Sequence, residues 1–196
     1  MVMNYLLNTI WLGPCIWAAL FFSDYYLTLH CAQLYRDHVR EKLVFEGSYE
    51  LTPYYQQDID SLRLVSPRFL LVLCLVLGLL AAMQALSKQA ELPDVYPVVL
   101  GMVILLQLTV HHRHLRNLIL FRAIAKTDAV QGRIEYSRWL ILQQSSVELF
   151  LFAGFFAILA VFTGSLFVVG GAVGCLSTAI KHWQLARKQG SRAAAA

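Results

Sequence analysis

Residues 140–180 read LILQQSSVELFLFAGFFAILAVFTGSLFVVGGAVGCLSTAI, and Glu148 is the only charged residue among them. As one helix this run would be about 60 Å long, twice the roughly 30 Å of bilayer hydrocarbon. Thr163-Gly164-Ser165 breaks it into two apolar halves, so the simplest reading is a tight hairpin of two spans, 140–161 and 166–180. Working outward, three further apolar runs cover 4–27, 69–86 and 98–111. The whole chain has 196 residues, 58% of them apolar and 14% charged, with a mean hydropathy of +0.58. Soluble domains carry about 45–50% apolar and 25% charged residues, so composition excludes disorder, a collagen-like repeat and an ordinary soluble domain. The expected fold is all-α, a polytopic integral membrane bundle of about five transmembrane helices with helical extensions on the cytoplasmic side.

Charge placement orients the bundle. Of the 16 Lys and Arg residues, five fall in 36–68, six in 113–138 and four in 181–192, leaving Lys88 alone between the second and third runs. With five spans the three basic segments share one face, which the positive-inside rule makes cytoplasmic. The N-terminus is then outside and the C-terminus in the cytoplasm, in a multi-pass protein of a bacterial plasma membrane. MVMNYLL lacks a basic n-region, and no A-x-A-like site follows the first run, so no cleavable signal peptide is expected. Residues 1–188 read as a single transmembrane domain, and 189–196 as a low-complexity tail outside the fold.

Two cytoplasmic segments, 36–66 and 112–138, are long enough to hold structure and are the places where a cytoplasmic protein partner would dock. YRDHVREKLVFE reads as a continuation of the first helix until Gly47-Ser48 breaks it. Thr52-Pro53 is a helix start, followed by Tyr55, Ile59 and Leu62 at helical spacing, and Ser66-Pro67 opens the second span. HRHLRNLILFRAIAK prolongs the third helix, with Thr127-Asp128 as its stop. The basic residues suit anionic membrane lipids. Acids are interleaved with them and no nucleic-acid motif is present, so nucleic acid is not an expected partner.

Ionisable groups within spans are functional candidates by default. Glu148 lies ten residues past Arg138, about 15 Å of helix rise, and Asp24 lies twelve before Arg36, about 18 Å. That arithmetic puts both carboxylates at similar depth. A rival placement ends the first span at Phe22 and leaves Asp24 among the inner headgroups. Trp17, Asp24, Thr28, Cys31 and Tyr35 share a face of the first helix, Gln144 and Glu148 one of the fourth, and Gln107, His111 and His114 one of the third. Asp24, Gln107, Gln144 and Glu148 are therefore the candidate ion or proton pathway. His111 and His114 are candidate metal ligands, and two such histidines can also hold a haem. No HExxH, CxxCH or nucleophile-elbow motif accompanies them, so no cofactor is expected beyond a metal ion. The four cysteines have no paired spacing and read as small apolar residues. Gly170 and Gly174 form a small-xxx-small pair for close helix packing, within the chain or between subunits, with 153–157 on the fourth helix as a candidate facing surface.

Phe22-Ser23-Asp24 is similar to the end of the RxxxFSD motif in the first helix of bacterial and lysosomal TMEM-type potassium channels. Ala18 stands where that motif has arginine, and the likeness covers three residues, so it carries no function here.

Three functions fit these features. The first is a homo-oligomeric channel or transporter subunit for an ion or proton, using the membrane carboxylates. The second is an accessory or scaffold protein whose polar residues only join helices. The third is an intramembrane metal-dependent enzyme with its site at the cytoplasmic leaflet. An enzyme is the less expected class.

Overall fold

The computed structural model describes residues 9, 11–89, 92–127 and 130–194. Helix dominates at 79%, so the all-α class holds. The helices are α1 (Leu12–Leu34), α2 (Gln56–Asp60), α3 (Pro67–Gln89), α4 (Val95–Lys126), α5 (Arg138–Thr163) and α6 (Leu166–Ala194). Two three-residue strands, β1 (Leu43–Phe45) and β2 (Ile134–Tyr136), pair in parallel. Four helices, α3 to α6, are long and apolar enough to cross a membrane. Among the described residues α1 is not one of them, since Ser23, Asp24 and Thr28 interrupt its apolar run. The expected first span starts at residue 4, and its first five residues lie outside the described ones.

α4 is the organising element. At 32 residues it is about 48 Å long and overshoots a bilayer core. α1 runs parallel to it in continuous register. Gly13 sits against Tyr96 and Leu100, Ser23 bonds His111, the Cys31 thiol donates to His114 O at 3.5 Å, and Tyr35 packs on Phe121. The polar face of α1 therefore points at α4, which is why its sequence is less apolar than a lipid-facing helix.

The glycines of α6 pack on α4 as well. A Cβ at Gly101 would lie 1.8 Å from Phe167 O, and one at Gly170 2.0 Å from Val98 O. The small-residue face is thus used within the chain. Its partner is α4 and not the 153–157 stretch, where a Cβ at Gly154 would meet nothing within 4 Å. Gly164, at φ +61, closes α5 by donating to Ala160 O at 2.8 Å and turns the chain into α6 as the sequence anticipates. Cys31 and Cys175 are buried, whereas Cys15 and Cys74 are exposed.

The segments 36–66 and 112–138, expected on the cytoplasmic side, depart most from expectation. α1 ends at Leu34, a π-helical turn covers Tyr35–Val39, and Leu43-Val44-Phe45 then forms β1 instead of continuing the helix. These residues pair with Ile134-Glu135-Tyr136, and Phe45 packs its ring on Tyr35, Tyr49 and Tyr136. The helix expected after Pro53 is only five residues long. It stops because Leu62 adopts φ 50 and Arg63 N–H donates back to Asp58 O at 2.9 Å. Ser66 caps α3 by accepting from Phe69 N–H at 3.1 Å and donates its own proton to the buried Asp58 carboxylate at 2.6 Å. Residues 189–194, expected to lie outside the fold, prolong α6.

Candidate functional site

α4, α5 and α6 enclose a cavity of 430 Å³, closed on one side by residues 45–52. That closing segment is stapled to the start of α5. The Arg138 main-chain N–H donates to Glu46 Oε2 at 2.9 Å, and its guanidinium donates to Ser48 O and Leu51 O, both at 3.3 Å.

Glu148 enters this cavity from α5 as a compensated carboxylate. Arg113 Nε donates to its Oε2 at 2.8 Å and Arg116 Nη1 to its Oε1 at 3.2 Å. His112 Nδ1 stands 3.7 Å from Oε1. A carboxylate removed from water needs such partners. They come from α4, 35 and 32 residues away in the chain for the two arginines, and not from Gln144, Ser145 or Arg138 beside it in sequence.

Gln144 also lines the cavity, as do His114 and Asn117 from α4. Asn117 Nδ2 donates to Tyr49 OH at 3.3 Å. Ser145 Oγ lies 2.7 Å from His182 Nδ1, bridging α5 and α6. Glu50 lines the closing segment and accepts from Thr52 N–H at 2.7 Å. Burial pushes its carboxyl above the ordinary 4.5, opposed by its bond to Thr52 and the charges of Arg113 and Arg138.

Asp24 sits behind this cavity, between α1 and α4. Its Oδ1 is 3.6 Å from His111 Nδ1 and 3.7 Å from His114 Nε2, and the Gln107 amide is within hydrogen-bonding reach of its carboxyl. Its depth matches that of Glu148, since His111 to Arg116 of α4 serve both. His114 joins the two groups, because it touches Asp24 on one side and lines the cavity on the other.

The imidazoles of His111 and His114 face neighbouring polar groups. His111 Nδ1 faces Gln107 O at 3.2 Å and its Nε2 bonds Ser23 Oγ, while His114 Nε2 lies 3.2 Å from Thr28 Oγ1. Among the described residues no group of three His, Cys, Asp or Glu side chains is arranged to hold a metal ion.

Arg113, Arg116, Asn117 and His182 line the candidate site, and charge counting alone assigns the two arginines to topology. The signal for them is the i, i+3, i+4 spacing of Arg113, Arg116 and Asn117, which places three polar groups on one stripe of the C-terminal half of α4. Arg113 Nη2 and His114 Nδ1 are buried without a hydrogen-bond partner among the described residues, and both belong to cavity-lining side chains. Comparison with protein-family models, curated proteins and solved structures gives no match to the chain.

Proposed function

We propose that this chain is a membrane transport subunit that passes a proton or small ion through its cytoplasmic half, using Asp24, Gln107, Gln144 and Glu148. The observation that carries the reading is His114, which stands between the Asp24 carboxyl and the cavity holding Gln144 and Glu148. An imidazole between two carboxylates is suited to relaying a proton. α1 is taken as a fifth span, because it runs alongside α4 from the level of Tyr96 to that of Phe121. The N-terminus is then outside and the C-terminus in the cytoplasm, in a bacterial plasma membrane, in keeping with the 15-to-1 partition of basic residues. The lipid-side faces of α3 and α5, with Leu71, Leu75, Leu151 and Phe155 outward, are where copies of the chain associate.

The test is proton flux into proteoliposomes under an imposed potential, read with an entrapped pH dye beside a size-exclusion profile. Wild type should exceed protein-free vesicles, while Asp24→Asn and Glu148→Gln abolish flux without changing the profile. No flux from wild type, or full flux from Asp24→Asn, removes the reading. One observation favours the scaffold alternative: both oxygens of Glu148 already accept from arginines, as in a joint between helices. Flux-free vesicles with an intact profile would select it.

A further inference from the structure

The Arg113–Arg116–Glu148 cluster has more donors than its carboxylate can use. Each guanidinium carries five N–H donors and no acceptor. Arg113 spends its Nε on Glu148, and its Nη2 is buried with no partner among the described residues. Arg116 contributes one Nη and is 57% exposed, so it can turn toward another anion at little cost. Around them the wall offers neutral donors from three elements, Asn117 on α4, Ser145 on α5 and Thr52 on the closing segment. Glu50 is the only other acid among the described lining residues, and its carboxylate already accepts from Thr52 N–H.

Depth narrows the choice of anion. Arg113 lies about 25 Å along α4 from Tyr96, just inside the far edge of a 30 Å hydrocarbon layer, from which a long arginine side chain reaches toward headgroup phosphates. Guanidinium forks match phosphate oxygens in geometry. The cavity, at 430 Å³, falls within the range of about 300–1,000 Å³ that ligand pockets occupy.

We propose that the cavity binds a phosphate-bearing anion, with Arg113 and Arg116 as its cradle and Glu148 as the resident carboxylate that the anion displaces. The phosphate is either free in the cytoplasm or carried by an anionic lipid headgroup. Binding is independent of ion movement and is measured without it, so failure of one reading leaves the other standing.

The experiment uses the full chain in a phosphate-free maltoside detergent. Thermal unfolding is followed by tryptophan fluorescence in two arms, one titrated with inorganic phosphate against chloride at constant ionic strength, the other with phosphatidylglycerol in mixed micelles. A saturable rise in the wild-type midpoint in either arm supports the proposal, and the arm that responds identifies the source. Glu148→Gln removes the internal competitor and should lower the half-saturating concentration about tenfold. Arg116→Gln should raise it at least tenfold. Arg133→Gln, which alters an exposed arginine paired with Glu135 at 2.7 Å outside the cavity, should leave it unchanged. No rise in either arm for both wild type and Glu148→Gln overturns the proposal. So does a rise that Arg116→Gln leaves intact, or one that Arg133→Gln weakens equally.

Discussion

Glu148 is held by two cations that differ in what they cost to lose. The Arg113 side chain is 12% exposed and that of Arg116 57%, against 14% for Glu148 itself. Removing the buried partner strands a carboxylate in a site with little water, so Arg113→Gln should destabilise the protein by about 3–5 kcal/mol. Arg116→Gln should cost under about 1 kcal/mol, because water already screens that pair. The double variant Arg113→Gln/Glu148→Gln should recover most of the loss, since amides pair without charge. Unfolding titrations in mixed micelles measure all three. Equal losses for the two arginines would contradict this account. Glu50 gives a pH signature. Its folded-state carboxyl binds a proton more tightly than an exposed one, so stability declines as pH rises through the ordinary value of 4.5 toward the raised one, then levels off. Glu50→Gln keeps an oxygen for Thr52 N–H and should flatten that decline, leaving the variant more stable than wild type at neutral pH. A decline of unchanged size in Glu50→Gln would assign it to another group.

At the scale of elements, the α4–α6 contact is backbone against backbone. Gly101→Ala and Gly170→Ala should each cost about 3 kcal/mol or more, because main-chain atoms and not flexible side-chain ends occupy the space. Gly154→Ala, on open surface, should stay within about 1 kcal/mol of wild type. Thermal midpoints of the three variants test this ordering. How much was legible differs by element for physical reasons. The α5–α6 hairpin was readable because a positive-φ glycine and a doubled apolar length are local signals. So was the start of α3, where Ser66 and Pro67 occupy the cap and first helical positions. The GGAVG run disclosed close packing but not its partner, because any small-residue face on another helix would serve. β1 and β2 were not readable. Three residues carry no usable period, and each strand exists only because the other lies beside it, 91 positions away in register. The same holds for Glu148: its depth follows from counting along α5, but its arginines belong to a helix whose rotation about its axis no sequence pattern gives.

At the scale of the whole molecule, α1 and α4 lie side by side and point the same way, so they share a topology. In a chain whose native cysteines are replaced, Thr9→Cys and Ser87→Cys should react only with reagent added outside, and Thr127→Cys only with reagent added inside. Labelling of Thr9→Cys and Thr127→Cys from one side would place α1 on the inner surface. The parallel alignment also bears on how the chain is made. α1 leaves the ribosome before α4, and the histidines that meet its Ser23, Asp24 and Thr28 follow more than 80 residues later, with the strand that anchors its far end later still. At about 5–20 residues per second, synthesis leaves the polar side of α1 without its partner for several seconds. The packing of α1 is therefore completed only once α4 has been made, and a stall in translation between the two should leave α1 the more open to proteolysis.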